Sequence, residues 1–202
     1  MSIVSTIKKI IHNIISYFQK KGAANHFTED ELSVHSEKVT ALHEAAHAVT
    51  THISKFHSLI DDVSIFSATT GETFISLSKT KLISQGKSLL HTMKDDEVVE
   101  DRAIIMYAGL EAEKIYCEKY KGVPLDINYS ANDYGIVDEV VSHCSNPSID
   151  KKQLIFKSRD AVIMQFDKIR ELADCLIKSP TKSIDLLLLT DALNASFKSN
   201  IK

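Results

Sequence analysis

Three ionisable residues, His43, Glu44 and His47, stand in the segment Ala41-Leu42-His43-Glu44-Ala45-Ala46-His47-Ala48-Val49. Positions four apart on an α-helix lie one above the other, so the two imidazoles of this H-E-x-x-H pattern point the same way and can share one zinc ion. Glu44 stands next to them, where a carboxylate can take a proton from a metal-bound water. The alternative is an ordinary polar helix face. The flanks argue against it: Ala41, Leu42, Ala45, Ala46, Ala48 and Val49 make the helix nearly apolar, and ionisable groups are not normally left unpaired in such surroundings.

A catalytic zinc takes three protein ligands and keeps a fourth position for water, so the two histidines need another donor. The metzincin extension would require Gly at 50 and His at 53, where this chain has Thr50 and Ile53. His52 and His57 therefore read as surface residues of the same helix. The acidic candidates are Glu100, Glu111 and Glu113 on a later helix and Asp133 at the start of another. Spacing does not choose among them, and Ser130-x-x-Asp133 is also a capping pattern, which gives Asp133 a purely structural reading.

Positioning such a site falls to a mainly α fold with one small β element. Thr28-Glu29-Asp30-Glu31 has the form of a capping box and Ser33 or Ser36 offers a second start, so the metal helix is expected over about 37–56. Segments 63–67 and 73–78 are β-rich and flank Thr69-Thr70-Gly71-Glu72, which predicts a hairpin or two neighbouring strands. Beside a metal, an exposed strand can pair with the backbone of an extended peptide; a small structural hairpin would have the same sequence. Further helices are predicted over about 95–120, 130–144, 150–178 and 183–198, with Gly109 marking close packing in the first of them.

Composition sets outer bounds. With 202 residues and 44% hydrophobic content, the chain can bury a core as one domain over 26–202, with an appendage over 1–25. A net charge of −3 without a long basic block excludes nucleic acid as the main partner. Cys117, Cys144 and Cys175 form no C-x-x-C pair and read as buried thiols in a reducing, cytoplasmic setting. No run of eighteen apolar residues occurs. Residues 3–18 alternate isoleucines with lysines as a basic amphipathic helix, expected to pack on the domain or on a neighbouring subunit, with peripheral membrane contact as the alternative. The run Leu186-Leu187-Leu188-Leu189 reads equally as core or as subunit contact.

His43-Glu44-Ala45-Ala46-His47-Ala48-Val49 resembles the H-E-A-G-H-A segment of the FtsH family of zinc proteases. Ala108-Gly109-Leu110-Glu111-Ala112-Glu113-Lys114 is similar to that family's A-G-R-A-A-E-E, and Ser130-Ala131-Asn132-Asp133-Tyr134 to its A-S-N-D-L. Taken together, the three motifs and the elements around them span about residues 36–178. The resemblance implies a helical zincin-like peptidase domain that hydrolyses peptides or unfolded proteins, with Zn2+ held by His43, His47 and Asp133 and with Glu44 as general base. It implies that Glu113 supports the metal helix from behind the ligands, and that the domain assembles as a homo-oligomeric ring, by family habit a hexamer. Ala46 replaces the usual glycine, and Leu110, Glu111 and Lys114 depart from the second motif. No G-x-x-x-x-G-K-[ST] occurs among six glycines, so ATP-driven unfolding is expected only from a separate AAA+ partner, if at all. These departures also motivate a second reading, a catalytically weak zinc-binding interaction module.

Overall fold

The computed structural model describes residues 28–90, 92–120, 123, 125, 130–142 and 150–198. The amphipathic segment over 3–18 and Cys144 lie outside them. Among the described residues the chain is mainly helical, with six helices and a three-stranded antiparallel sheet. No helix there is long and apolar enough to cross a membrane.

Helix α1 (Glu29–Ile53) starts earlier than expected because the first of its two start signals is used. Glu31 N donates to Thr28 Oγ1 while Thr28 N donates to Glu31 Oε2, a reciprocal capping box reinforced by the acidic first turn. The helix also stops earlier, at Ile53. There Lys81, on the short helix α2 (Lys79–Ser84), brings Nζ within hydrogen-bonding distance of the carbonyls of Thr51, His52 and Ser54, the place where a cation best satisfies orphaned helix-end acceptors.

Strands β1 (His57–Ser67) and β2 (Thr70–Leu77) form the hairpin, with its turn at Ala68 and Thr69, and Gly71 lies inside β2 rather than in the turn. A two-residue strand β3 (Ser183–Ile184) pairs on the other side of β1, which leaves β2 at a free edge among the described residues. Helices α3 (Asp96–Lys119), α4 (Ala131–Ser142) and α5 (Lys151–Lys178) fall close to the expected ranges, and α6 (Leu186–Lys198) follows β3. Strand β3 and helix α2 are departures from the expected plan.

The main core joins α1, α3, α5, α6 and the inner face of β1. Alanines are frequent in it: Ala41, Ala45, Ala46 and Ala48 of α1 and Ala108 and Ala112 of α3 are all fully buried, while Gly109 of α3 lies against His43 of α1. Small side chains let two helices approach closely, so groups reaching across the contact meet at bonding distance. The leucine run divides: Leu189 is buried, whereas Leu187 and Leu188 are exposed.

Two expectations fail here. His57 is not on the metal helix; it opens β1 and is fully buried, because α1 ends four residues before it. His52 stays on α1 but is half-buried. Cys175 is exposed and Cys117 half-buried, so neither described cysteine is a fully buried thiol. Each sits on a long helix, α5 or α3, at a position facing away from the core clusters.

The α1–β1 junction hangs on Asp101 of α3. Its carboxylate accepts from Ser54 Oγ at 2.6 Å, His57 Nδ1 at 2.7 Å and the backbone N–H groups of Lys55 and Phe56. Burial by itself would raise its pKa, but the bonds from His57 and Ser54 and the His57 charge hold it below the ordinary value. A depressed carboxyl contributes stability above its unfolded pKa of about 4, and that contribution disappears as the pH falls through the lower folded value. Asp101→Ala is therefore expected to cost ~2–4 kcal/mol at neutral pH, since it strands several buried donors. Urea unfolding should show this cost shrinking below about pH 4; an unchanged midpoint at pH 7 would rule out the junction role.

Candidate metal centre

Residues 40–51 of α1 are all buried, and the ionisable ones are no exception: His43, Glu44 and His47 are each at most 4% exposed. Each must then find partners. His47 Nδ1 lies 2.8 Å from the carbonyl of Ile105, and because a carbonyl only accepts, the proton is on Nδ1. His43 Nδ1 donates to Glu113 Oε1 at 2.6 Å. Both rings are thus anchored from α3 through Nδ1. Their Nε2 atoms face each other at 2.9 Å.

Asp133, on the first turn of α4, closes the triangle. Its Oδ2 lies 3.0 Å from His43 Nε2 and 3.3 Å from His47 Nε2, although the chain separates it from His43 by 90 positions. Its carboxylate is turned to the histidines and not into a capping bond with Ser130, whose buried Oγ has no hydrogen-bond partner. The other acidic candidates go elsewhere: Glu100 pairs with Lys157, and Glu111 with Lys114 and Arg159. Glu113 is in the centre but behind the His43 ring.

Two neutral imidazoles with protonated Nδ1 atoms would aim two lone pairs at each other and at a carboxylate oxygen, an arrangement that only a cation relieves. In the metal-free chain that cation is a proton. Burial alone would push His43 down, but hydrogen bonds to Asp133 and Glu113 and the nearby charge of Glu44 bring it up to about 10. Burial would raise Asp133, but the His47 charge and the bond from His43 hold its carboxyl well below the usual carboxylate range. His43, His47 and Asp133 form a group that can hold a metal ion, which would take the place of that proton.

The centre opens into a cleft of about 620 Å³, within the usual range for a ligand site. Glu44 lines it together with residues 69–75, the stretch that includes β2 up to Ile75. Thr73 Oγ1 lies 2.7 Å from Glu44 Oε2 and fixes the carboxylate. Two glycines make room for these side chains. A Cβ on Gly109 of α3 would fall 2.5 Å from His43 Cε1, and one on Gly71 of β2 would fall 2.5 Å from Glu44 Cγ.

All four residues expected at the centre, His43, Glu44, His47 and Asp133, meet there, with Glu113 in the supporting position. Thr73, the Ile105 carbonyl and Arg102 on the cleft wall were not anticipated. A glycine inside a β-rich segment is the signal that can reveal the close approach at Gly71; a backbone carbonyl leaves no mark in sequence. No protein-family model matches this chain, and no curated protein resembles it to a significant degree.

Support from behind the ligands is testable by metal affinity alone. Glu113→Gln should weaken metal binding by about 10–100-fold, as losses of such outer partners do. Gly109→Ala, which drives a methyl into the His43 ring, should weaken it at least comparably. Competition titration against a chromophoric chelator measures both, and native affinity in both variants would refute this account of the centre.

Proposed function

We propose that this chain is a zinc-dependent metalloendopeptidase, a hydrolase of peptide bonds in peptides or unfolded protein segments, with a domain built like the peptidase of the FtsH family. The observation that carries the reading is the convergence of His43, His47 and Asp133 with Glu44 beside them in an open cleft. The motif resemblance supports the same assignment of roles.

The donor set suits zinc. Ligand atoms about 2.0–2.1 Å from a tetrahedral zinc are about 3.3–3.4 Å apart. The three donors here are separated by 2.9, 3.0 and 3.3 Å, so a small outward movement meets that requirement. Two imidazoles and one carboxylate also leave a coordination position open, as a catalytic rather than structural zinc needs. When bound, zinc supplies an acidified water and polarises a carbonyl.

The chain's own groups do the rest. Glu44, held by Thr73, accepts a proton from water in the cleft and can return it to the departing amine. The free edge of β2 runs along the cleft and offers backbone donors and acceptors to an extended peptide. A folded substrate cannot present a strand in this way, which favours unfolded segments.

The reading as an inert zinc module gains no support from the second-motif departures. Leu110 is buried, and Glu111 is engaged by Lys114 and Arg159; none of these residues lines the cleft.

Glu44→Gln should keep a full equivalent of zinc and lose cleavage of an unfolded protein by at least about 100-fold, a typical worth for a general base. Gel-based digestion beside metal analysis reads both quantities, with chelator-treated protein as the control. Undiminished cleavage by the variant would sink the mechanism.

A further inference from the structure

A second cavity, of about 280 Å³, adjoins the cleft and shares two of its walls, Arg102 and Ile136. Leu77, Val98, Val99 and Val140 make most of its lining apolar, with Thr92 and Glu139 as polar members. At this volume it lies below the ~300–1,000 Å³ of pockets that enclose whole ligands, and it suits a single side chain. His57 also lines it; with Nδ1 committed to Asp101, its buried Nε2 has no hydrogen-bond partner, which is unusual for packing alone.

Arg102 stands between the two spaces. The other two arginines are engaged, Arg159 by Glu111 and Glu118 and Arg170 by Asp167. Arg102, half-buried on α3, makes no hydrogen bond or ion pair with any described residue. Burial lowers its pKa from the ordinary value, and the charge of Glu139 offsets part of that. Glu139, which lines the same cavity, attracts the guanidinium without a hydrogen bond, so its five donors remain in a planar fork, the geometry that receives a carboxylate in two parallel bonds.

We propose that Arg102 anchors a carboxylate of the peptide substrate while a neighbouring apolar side chain of that substrate fills the adjoining cavity. The assignment rests on the peptidase reading of the cleft. The carboxylate can belong to a free C-terminus or to an acidic side chain, since the fork takes either. Arg102 is a specificity residue here and has no part in the chemical step.

The test uses one leucine-containing peptide in three forms: free acid, C-terminal amide, and amide with a terminal Glu. Each is assayed on the zinc-loaded full chain for kcat/KM, and on zinc-loaded Glu44→Gln for Kd, which needs no turnover. At least one carboxylate-bearing form should bind and react about tenfold or more better than the plain amide. The form that gains identifies the source. Arg102→Gln should bring the ratio near one, and Arg102→Lys, with charge but no fork, should keep part of it, at unchanged zinc content. Equal Kd for all three peptides on the chain with Arg102 intact, or a preference that survives Arg102→Gln, overturns the proposal. Absence of cleavage with every peptide would overturn the peptidase reading alone, and the Kd ratios would still decide the role of Arg102.

Discussion

Three ionisable side chains from two turns of one helix are buried, and the free energy of keeping them there constrains everything packed against α1. An isolated buried charge is too costly to keep, so each group must be met by a partner fixed in advance. Two of those partners come from α3, the Ile105 carbonyl for His47 and the Glu113 carboxylate for His43. Both reach across a close contact of the two helices, in which Gly109 lies directly against the His43 ring. The missing side chain at Gly109 is thus a requirement of the polar centre.

The balance of charge at that centre is negative. Glu44, Glu113 and Asp133 surround two imidazoles, and the buried Oε2 of Glu113 accepts no hydrogen bond. A proton on His43 answers this only in part, which is why that proton is held so tightly. A divalent cation answers it more fully and also separates the two facing Nε2 lone pairs. The centre is thus better explained as a cation site than as a polar network that completes itself.

Much of this was legible in sequence because it is local. The capping box at Thr28, the helical run around His43 and His47, the acidic start of α3 at Asp95 and the break at Ser179-Pro180 all act within a turn or two. The failures share a different cause. Helix α1 looked able to continue through His57, but its end is determined by Lys81 and Asp101, which arrive from other elements. Strand β3 is two residues held by backbone pairing to β1, too short for any periodicity. Spacing left Asp133 and Glu113 open as ligands, because both depend on how α3 and α4 close over α1. Motif resemblance separated them, and the folded geometry places one carboxylate in front of the histidines and the other behind.

The same geometry divides the work of the centre between elements. Helix α3 holds the two ligand histidines through Glu113, Ile105 and Gly109, whereas strand β2 holds Glu44 through Thr73 and the space above Gly71. The histidines and Glu44 consequently have separate supports, although His43 and Glu44 are adjacent in the chain. Glu44 is not among the residues that converge as ligands, and on the proposed reading the second support serves it as the base. Under the proposed peptidase reading, a strand whose edge is free among the described residues carries both the residue that fixes Glu44 and the backbone available to an extended peptide, and so ties the position of Glu44 to the place where a peptide bond would lie.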